Sequence, residues 1–178
     1  MNVSHTQHDH VSEPRMQPLY SLKDFAPLIG IAVVIFIFTF IMQYRLGYWD
    51  AAYAMRNFMA GFFLVFGSFK LMNWGGFVNA YQIYDLVAMR SRIYAYAYPL
   101  IEVGLGTAYL LDYQIIAVSW TTFVLMIVGA VGVARQLMKK ETVPCACLGV
   151  VFKIPMTKVT LAEDVLMAGM ALGMIFGV

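Results

Sequence analysis

Both cysteines of the chain stand in one short stretch, Pro144-Cys145-Ala146-Cys147-Leu148-Gly149. A Cys-x-Cys pair can close a small, strained disulfide, and strain raises the reduction potential, which favours exchange over permanence. Lys139, Lys140 and Lys153 stand nearby in sequence and would favour the thiolate, the reactive form. The same two thiolates suit a soft ion such as Cu(I). They are too few for a closed tetrahedral zinc site unless His or carboxylate joins them. Two inert cysteines at a helix end are the plain alternative, and a proline-flanked turn in a charged linker is an unusual place for those. A second set of candidate ligands is His5, His8 and His10, beside Asp9. Three imidazoles this close can bind a soft or borderline metal, or they are incidental residues of a solvated tail.

The elements that position these groups follow from composition. The chain has 178 residues, 61% hydrophobic and 12% charged, with mean hydropathy +0.72. Soluble domains carry about 25% charged residues. An integral membrane protein is the economical reading, with the lipid bilayer as its first partner. The net charge of +2 gives no basis for a nucleic-acid partner. Two cysteines cannot make a disulfide scaffold, and no Ser/His/Asp array, phosphate loop or zinc motif supports a hydrolase or kinase.

In chain order, residues 1–25 are polar, lack apolar periodicity and read as a disordered, His-containing tail. They are not expected to act as a signal peptide, because no basic segment stands immediately before the apolar run and no small-residue cleavage site follows it. Residues 26–43 are almost unbroken apolar, with Pro27 in the first helical turn. Eighteen residues rise about 27 Å, enough to span the hydrocarbon. Tyr44, Tyr48 and Trp49 follow where an interfacial aromatic belt belongs. Further spans are expected over about 57–74, 93–111, 115–134 and 159–178. Between the second and third, residues 75–92 are amphipathic. Phe77, Ala80, Tyr81, Tyr84, Val87 and Ala88 fall on one face and Asn79, Gln82 and Asp85 on the other, the pattern of a helix lying in the interface. Asp112-Tyr113-Gln114 reads as a tight connection. Gly61, Gly67, Gly129 and Gly132 read as packing positions, and Gly169, Gly173 and Gly177 as a packing stripe. The expected fold class is all-α, a polytopic bundle of five transmembrane helices and one interfacial amphipathic helix.

Five spans put the two termini on opposite sides. One side carries Arg15, Lys23, Lys70, Arg90, Arg92, Arg135, Lys139, Lys140, Lys153 and Lys158, ten of the twelve basic residues, and the other only Arg45 and Arg56. Without Lys70 the asymmetry is still nine to two. The positive-inside rule places the N-terminus and the cysteine linker, 135–158, in the cytoplasm and the C-terminus outside.

Four ionisable residues fall inside the apolar segments. Glu102 is ten residues past Arg92, roughly 15 Å deep. Glu163 and Asp164 lie roughly 8 Å below the cytoplasmic boundary, and Lys70 at a similar depth. A lone carboxylate at the bilayer centre costs at least about 2.5–3.5 kcal/mol, so these groups must find partners inside the bundle. By depth, Lys70 is expected to pair with Glu163 or Asp164. Such pairs either lock helices together or help to move protons, electrons or ions.

From Arg56 onward the chain resembles the MauE/DoxX family of small bacterial membrane proteins, the MauE branch in particular. The residues that carry this are Arg56-Asn57, Gly61, Phe66-Gly67-Ser68-Phe69-Lys70, Gly76-Phe77, Pro99-Leu100-Ile101-Glu102 with Gly104 and Gly106, and Cys145-Ala146-Cys147-Leu148-Gly149. The resemblance covers about residues 56–178 as a four-helix domain. It leaves the 1–25 tail and the 26–43 helix outside. It implies a redox-associated protein of the bacterial inner membrane, linked to methylamine utilisation and to disulfide acquisition by a partner. Cys145 and Cys147 would be the redox pair, with Lys70 and Glu102 at family-pattern polar positions.

Three functions are therefore carried forward. The first is a thiol–disulfide oxidoreductase in which Cys145 and Cys147 cycle, with a redox protein or a quinone completing the circuit. The second is a Cu(I) binding or transfer protein serving a metal carrier. It would use the same thiols, the tail histidines and thioethers from the thirteen methionines, although Met is also ordinary filler in apolar helices. The third is a non-catalytic assembly subunit that docks a partner. Disulfide maturation takes place outside the cytoplasm, so cytoplasmic thiols imply either electron passage across the bundle or a cytoplasmic task.

Overall fold

Three helix starts in this chain are set by short polar residues, Asp50, Asn73 and Ser91. In the computed structural model, which describes residues 26–139 and 158–177, six helices follow one another. They are α1 (Ala26–Leu46), α2 (Ala51–Met72), α3 (Trp74–Tyr81), α4 (Arg92–Leu110), α5 (Ile115–Met138) and α6 (Lys158–Phe176). No strand occurs among the described residues. Asp50 caps α2 by accepting from the Tyr53 N–H at 2.9 Å, and Ser91 caps α4 by accepting from Tyr94 N–H at 3.3 Å. Because Asp50 starts α2 early, Arg56 lies inside the helix rather than marking its beginning.

The all-α expectation holds. By length and composition, α1 and α5 are the two described helices long and apolar enough to cross a membrane. The outer surface is apolar on several helices, with Val34, Phe36 and Phe40 on α1, Ile116 and Val124 on α5, and Val165 and Leu166 on α6 all exposed. So large an apolar exterior suits contact with lipid rather than water.

Two helix pairs form the body, α2 with α4 and α5 with α6; α1 lies mainly along α2. Close approach of α2 and α4 depends on glycine. A Cβ on Gly67 would come within 2.9 Å of Val103 Cγ2, and one on Gly106 within 3.0 Å of the Leu64 backbone nitrogen. Small residues at such crossings allow backbones to touch. The row Gly169, Gly173 and Gly177 behaves differently from expectation. Gly169 and Gly177 face open space, and Gly173 has only the Met55 thioether near it. Spacing alone could not tell which face of α6 is turned inward; Met167, Ala168, Ala171 and Met174 are the apolar residues it buries, with Thr160 near its start.

The segment after α2 also departs from the expected interfacial amphipathic helix over 75–92. Asn73 accepts from Gly76 N–H at 3.2 Å and turns the chain directly into α3. The helix ends at Tyr81 and the chain continues in turns to Arg90. Phe77, Ala80, Tyr81, Tyr84 and Ala88 are buried in the protein core, while Val87 is exposed. Asp85, expected on the polar face, is 0% exposed. Its Oδ1 accepts from the N–H groups of Val87 at 3.0 Å and Ala88 at 2.8 Å, holding a turn that a helix would have straightened. The turn seats against α5 at Gly132, where a Cβ would fall 2.7 Å from the Tyr84 carbonyl oxygen.

At the opposite end, the α4–α5 connection is as short as expected. Asp112 and Gln114 both take positive φ, 57° and 43°, a conformation that costs non-glycine residues energy. An ion pair from Arg56 to Asp112 ties this turn to α2.

These contacts predict opposite outcomes for two chemically identical changes. Gly132→Ala pushes a methyl against a backbone carbonyl and should destabilise by about 1–3 kcal/mol. Gly169→Ala, in open space, should be neutral or stabilise by up to about 1 kcal/mol through helix propensity. Thermal unfolding in detergent, followed by circular dichroism, distinguishes them.

Candidate functional site

Lys70 and Glu102, 4% and 2% exposed, form an ion pair inside the bundle through the ammonium and Oε1. The depth argument matched Lys70 to the α6 acids; the ion pair here is with Glu102 on α4. Side chains on a helix lean toward its N-terminus. The helices α2 and α4 run in opposite directions, with the Trp74 indole donating to the Tyr96 carbonyl at 3.0 Å where one ends and the other begins. Lys70 therefore leans deeper and Glu102 leans shallower, and they converge from different depths. Gly67 makes the meeting possible, since the atoms its missing Cβ would crowd include Glu102 Cβ at 3.4 Å.

Aromatic rings enclose the ammonium. Its nitrogen lies 4.8 Å from the Tyr98 ring centroid and 5.5 Å from that of Phe77, within cation–π range. Tyr81 stacks into the same group, 4.5 Å from Tyr98 and 5.0 Å from Phe77 between centroids. Burial, reinforced by Tyr98 and Asp85, pushes the Tyr81 phenol well above its ordinary range, so it stays neutral and able to donate. The chain from 77 to 84 thus supplies a wall of rings over the ion pair.

Beyond the pair is a cavity of about 30 Å³. Lys70 and Glu102 line one side, Tyr81, Tyr84 and Tyr98 the roof, and Thr160, Glu163 and Asp164 the α6 side. Gly129 on α5 admits the Asp164 carboxylate, whose Oδ2 would lie 3.5 Å from a Cβ there. All four ionisable residues singled out within the apolar segments therefore reach one cavity. The tyrosines were missed as site members: Tyr81 and Tyr84 were counted only as apolar periodicity, and Tyr98 was not singled out. The available signal was Tyr94, Tyr98 and Glu102 at spacing four, which puts all three on one face of α4. A separate polar group, the Tyr109 hydroxyl bonded to Ser119 Oγ at 3.3 Å and Thr122 Oγ1 at 3.1 Å, has its needs met locally.

Cys145, Cys147, His5, His8 and His10 lie outside the described residues. Among the described residues, no group of three or more His, Cys, Asp or Glu could hold a metal ion.

Removing one member of the buried pair leaves the other charged and unpaired. Lys70→Met and Glu102→Gln should each cost about 3–5 kcal/mol, and the double variant far less than their sum. A double-mutant cycle by thermal unfolding in detergent reads this out.

The comparisons with known proteins fall on the same helices. Residues 49–177 match the family described as methylamine utilisation protein MauE, a stretch that begins just before α2 and leaves α1 outside. No curated protein and no solved structure matches the chain. With most of its length covered and apolar helices throughout, this chain belongs to the MauE family of membrane proteins associated with methylamine utilisation.

Proposed function

We propose that this protein is an integral membrane thiol–disulfide redox protein that supports disulfide or cofactor maturation of a partner. The observation that carries this reading is that the family match runs through the segment holding Cys145 and Cys147. In the bacterial inner membrane, α1, α2, α4, α5 and α6 would be the five spans, with the N-terminus and the cysteine linker cytoplasmic and the C-terminus outside. Burial of Lys70 leaves the charge asymmetry at nine to two. The described chain stops at Lys139 and resumes at Lys158 on either side of the cysteines. The adjoining turns of α5 and α6 supply Val133, Thr160 and Asp164 to the polar cavity.

In the reaction, the Cys145–Cys147 disulfide accepts two electrons and two protons from the dithiol of a partner that reaches the cytoplasmic face. The partner gains its disulfide and the pair becomes a dithiol. Reoxidation passes two electrons and two protons to a quinone, giving quinol, or to the disulfide of a redox protein. A pair strained by its single intervening residue suits such cycling.

Differential alkylation and mass spectrometry of native membranes should recover both dithiol and disulfide, in a ratio that follows the imposed redox poise. A pair that stays reduced at every poise contradicts the proposal. Copper retained by the wild type and lost from Cys145→Ser/Cys147→Ser would move the thiols to Cu(I) transfer instead. Because the chain has only these two cysteines, a membrane-impermeant maleimide should label them in inverted vesicles and not in right-side-out ones; the reverse pattern overturns the orientation.

A further inference from the structure

Near its C-terminal end, α1 buries an amide. Gln43 is 6% exposed. Its Nε2 donates to the Tyr48 carbonyl at 2.9 Å, which fixes the orientation of the group. Oε1 is then left buried without a hydrogen bond. A buried acceptor in that condition calls for a donor.

Gln43 lies where two cavities adjoin. One, of about 360 Å³, is a groove walled by Phe36 of α1, Phe58 of α2 and Met170 of α6. The other, of about 320 Å³, opens among the rings of Phe40, Tyr44, Tyr48 and Trp49. Phe40, Gln43 and Trp49 line both. Each cavity is of the size that holds a small organic group. Phe36 and Phe40 are exposed, so the groove is open along its side to the surrounding lipid.

The lining defines the occupant. No charged side chain lines either cavity, so nothing there complements the phosphate of a phospholipid head group. The polar groups offered at the neck are acceptors. Thr39 also lines the groove, and its hydroxyl donates to the Ile35 carbonyl at 2.9 Å. The ligand must therefore be uncharged, carry an apolar chain for the groove and bring an O–H to Gln43 Oε1. Four rings around the second cavity suit a flat aromatic head, which can stack or meet them edge to face, better than a glycerol. An interfacial aromatic belt accounts for rings at this level, but not for a buried amide that lacks a donor.

We propose that this groove binds a prenylated quinol, with its chain along α1 and one ring hydroxyl donating to Gln43 Oε1. The quinone form lacks that proton, so the reduction state of the ligand sets its affinity. The α1 wall lies outside the family match, so the site is not a property of the matched region alone. A quinol is also what the proposed reoxidation of the cysteines would yield, but binding here concerns no electron transfer and does not rest on the cysteines cycling.

Calorimetric titration of the full chain in phosphatidylcholine nanodiscs, referenced to empty discs, tests this. The probes are a decyl-substituted benzoquinol and its dimethyl ether, which keeps ring and chain but has no O–H. Dithiothreitol keeps the cysteines reduced, so they cannot oxidise the quinol and binding is read apart from any thiol reaction. The wild type should bind the quinol saturably and about tenfold more tightly than the ether, the worth of one hydrogen bond to a buried acceptor. Gln43→Leu should bind both as weakly as the wild type binds the ether. Leu166→Trp, at a groove residue 54% exposed, should weaken both by narrowing the groove. Absence of saturable binding, or equal affinities for quinol and ether, overturns the proposal in the wild type alone, whether or not Gln43→Leu folds. A preference for quinol that survives Gln43→Leu overturns it too. Displacement of the quinol by an equal amount of diacylglycerol or phosphatidylglycerol would make the occupant a glycerolipid instead.

Discussion

An ammonium and a carboxylate placed within apolar helices must meet, because neither is tolerated alone in a hydrocarbon-like interior. The Lys70–Glu102 pair imposes that condition on the structure. It sets the register of α2 on α4, since the two side chains lean toward each other only at one relative height. It requires Gly67 and Gly106, which let the two backbones come close enough for a short carboxylate to reach. It also requires a cover, and the rings of Phe77, Tyr81 and Tyr98 provide one that is apolar in bulk and electrostatically favourable to a cation.

The cover explains the shape of the segment between α2 and α4. A straight amphipathic helix from 75 to 92 could have floated on the bundle. Instead Asn73 turns it inward, Asp85 holds a second turn, and Gly132 gives the Tyr84 carbonyl room against α5. The segment thereby joins the two helix pairs. The polar groups of the molecule are correspondingly unequal in character. Those near the α2–α3 junction are ionisable and surround a cavity, whereas Tyr109, Ser119 and Thr122 satisfy one another in a closed hydroxyl cluster. The α1 helix lies outside the family match and lines none of the polar cavity, so the site belongs to the family core.

Much of this was legible in the sequence because the apolar runs are long. Helix positions followed from hydropathy, and Lys70, Glu102, Glu163 and Asp164 stood out because charge is rare there. The apolar face of 75–92 was legible too, from Phe77 through Ala88, but not that it packs on the protein core with Val87 left outside. Pairing was not, because a depth count tracks Cα positions while lysine and glutamate reach along the helix axis in directions that depend on its orientation. The burial of Asp85 was not legible either, since a carboxylate that accepts backbone N–H bonds in a turn looks the same in sequence as one facing water. Nor was the orientation of α6, where Gly169 and Gly177 proved to face outward.

The central claim is that Lys70 and Glu102 meet inside the bundle and organise what surrounds them. Solid-state nuclear magnetic resonance on the full chain in lipid, with labelled lysine and glutamate, tests it directly. A cross-peak between the Lys70 side-chain nitrogen and the Glu102 carboxyl carbon, assigned by its disappearance in Glu102→Gln, is the predicted result. A Lys70 nitrogen that correlates with lipid headgroups or water and with no carboxyl carbon would contradict the account.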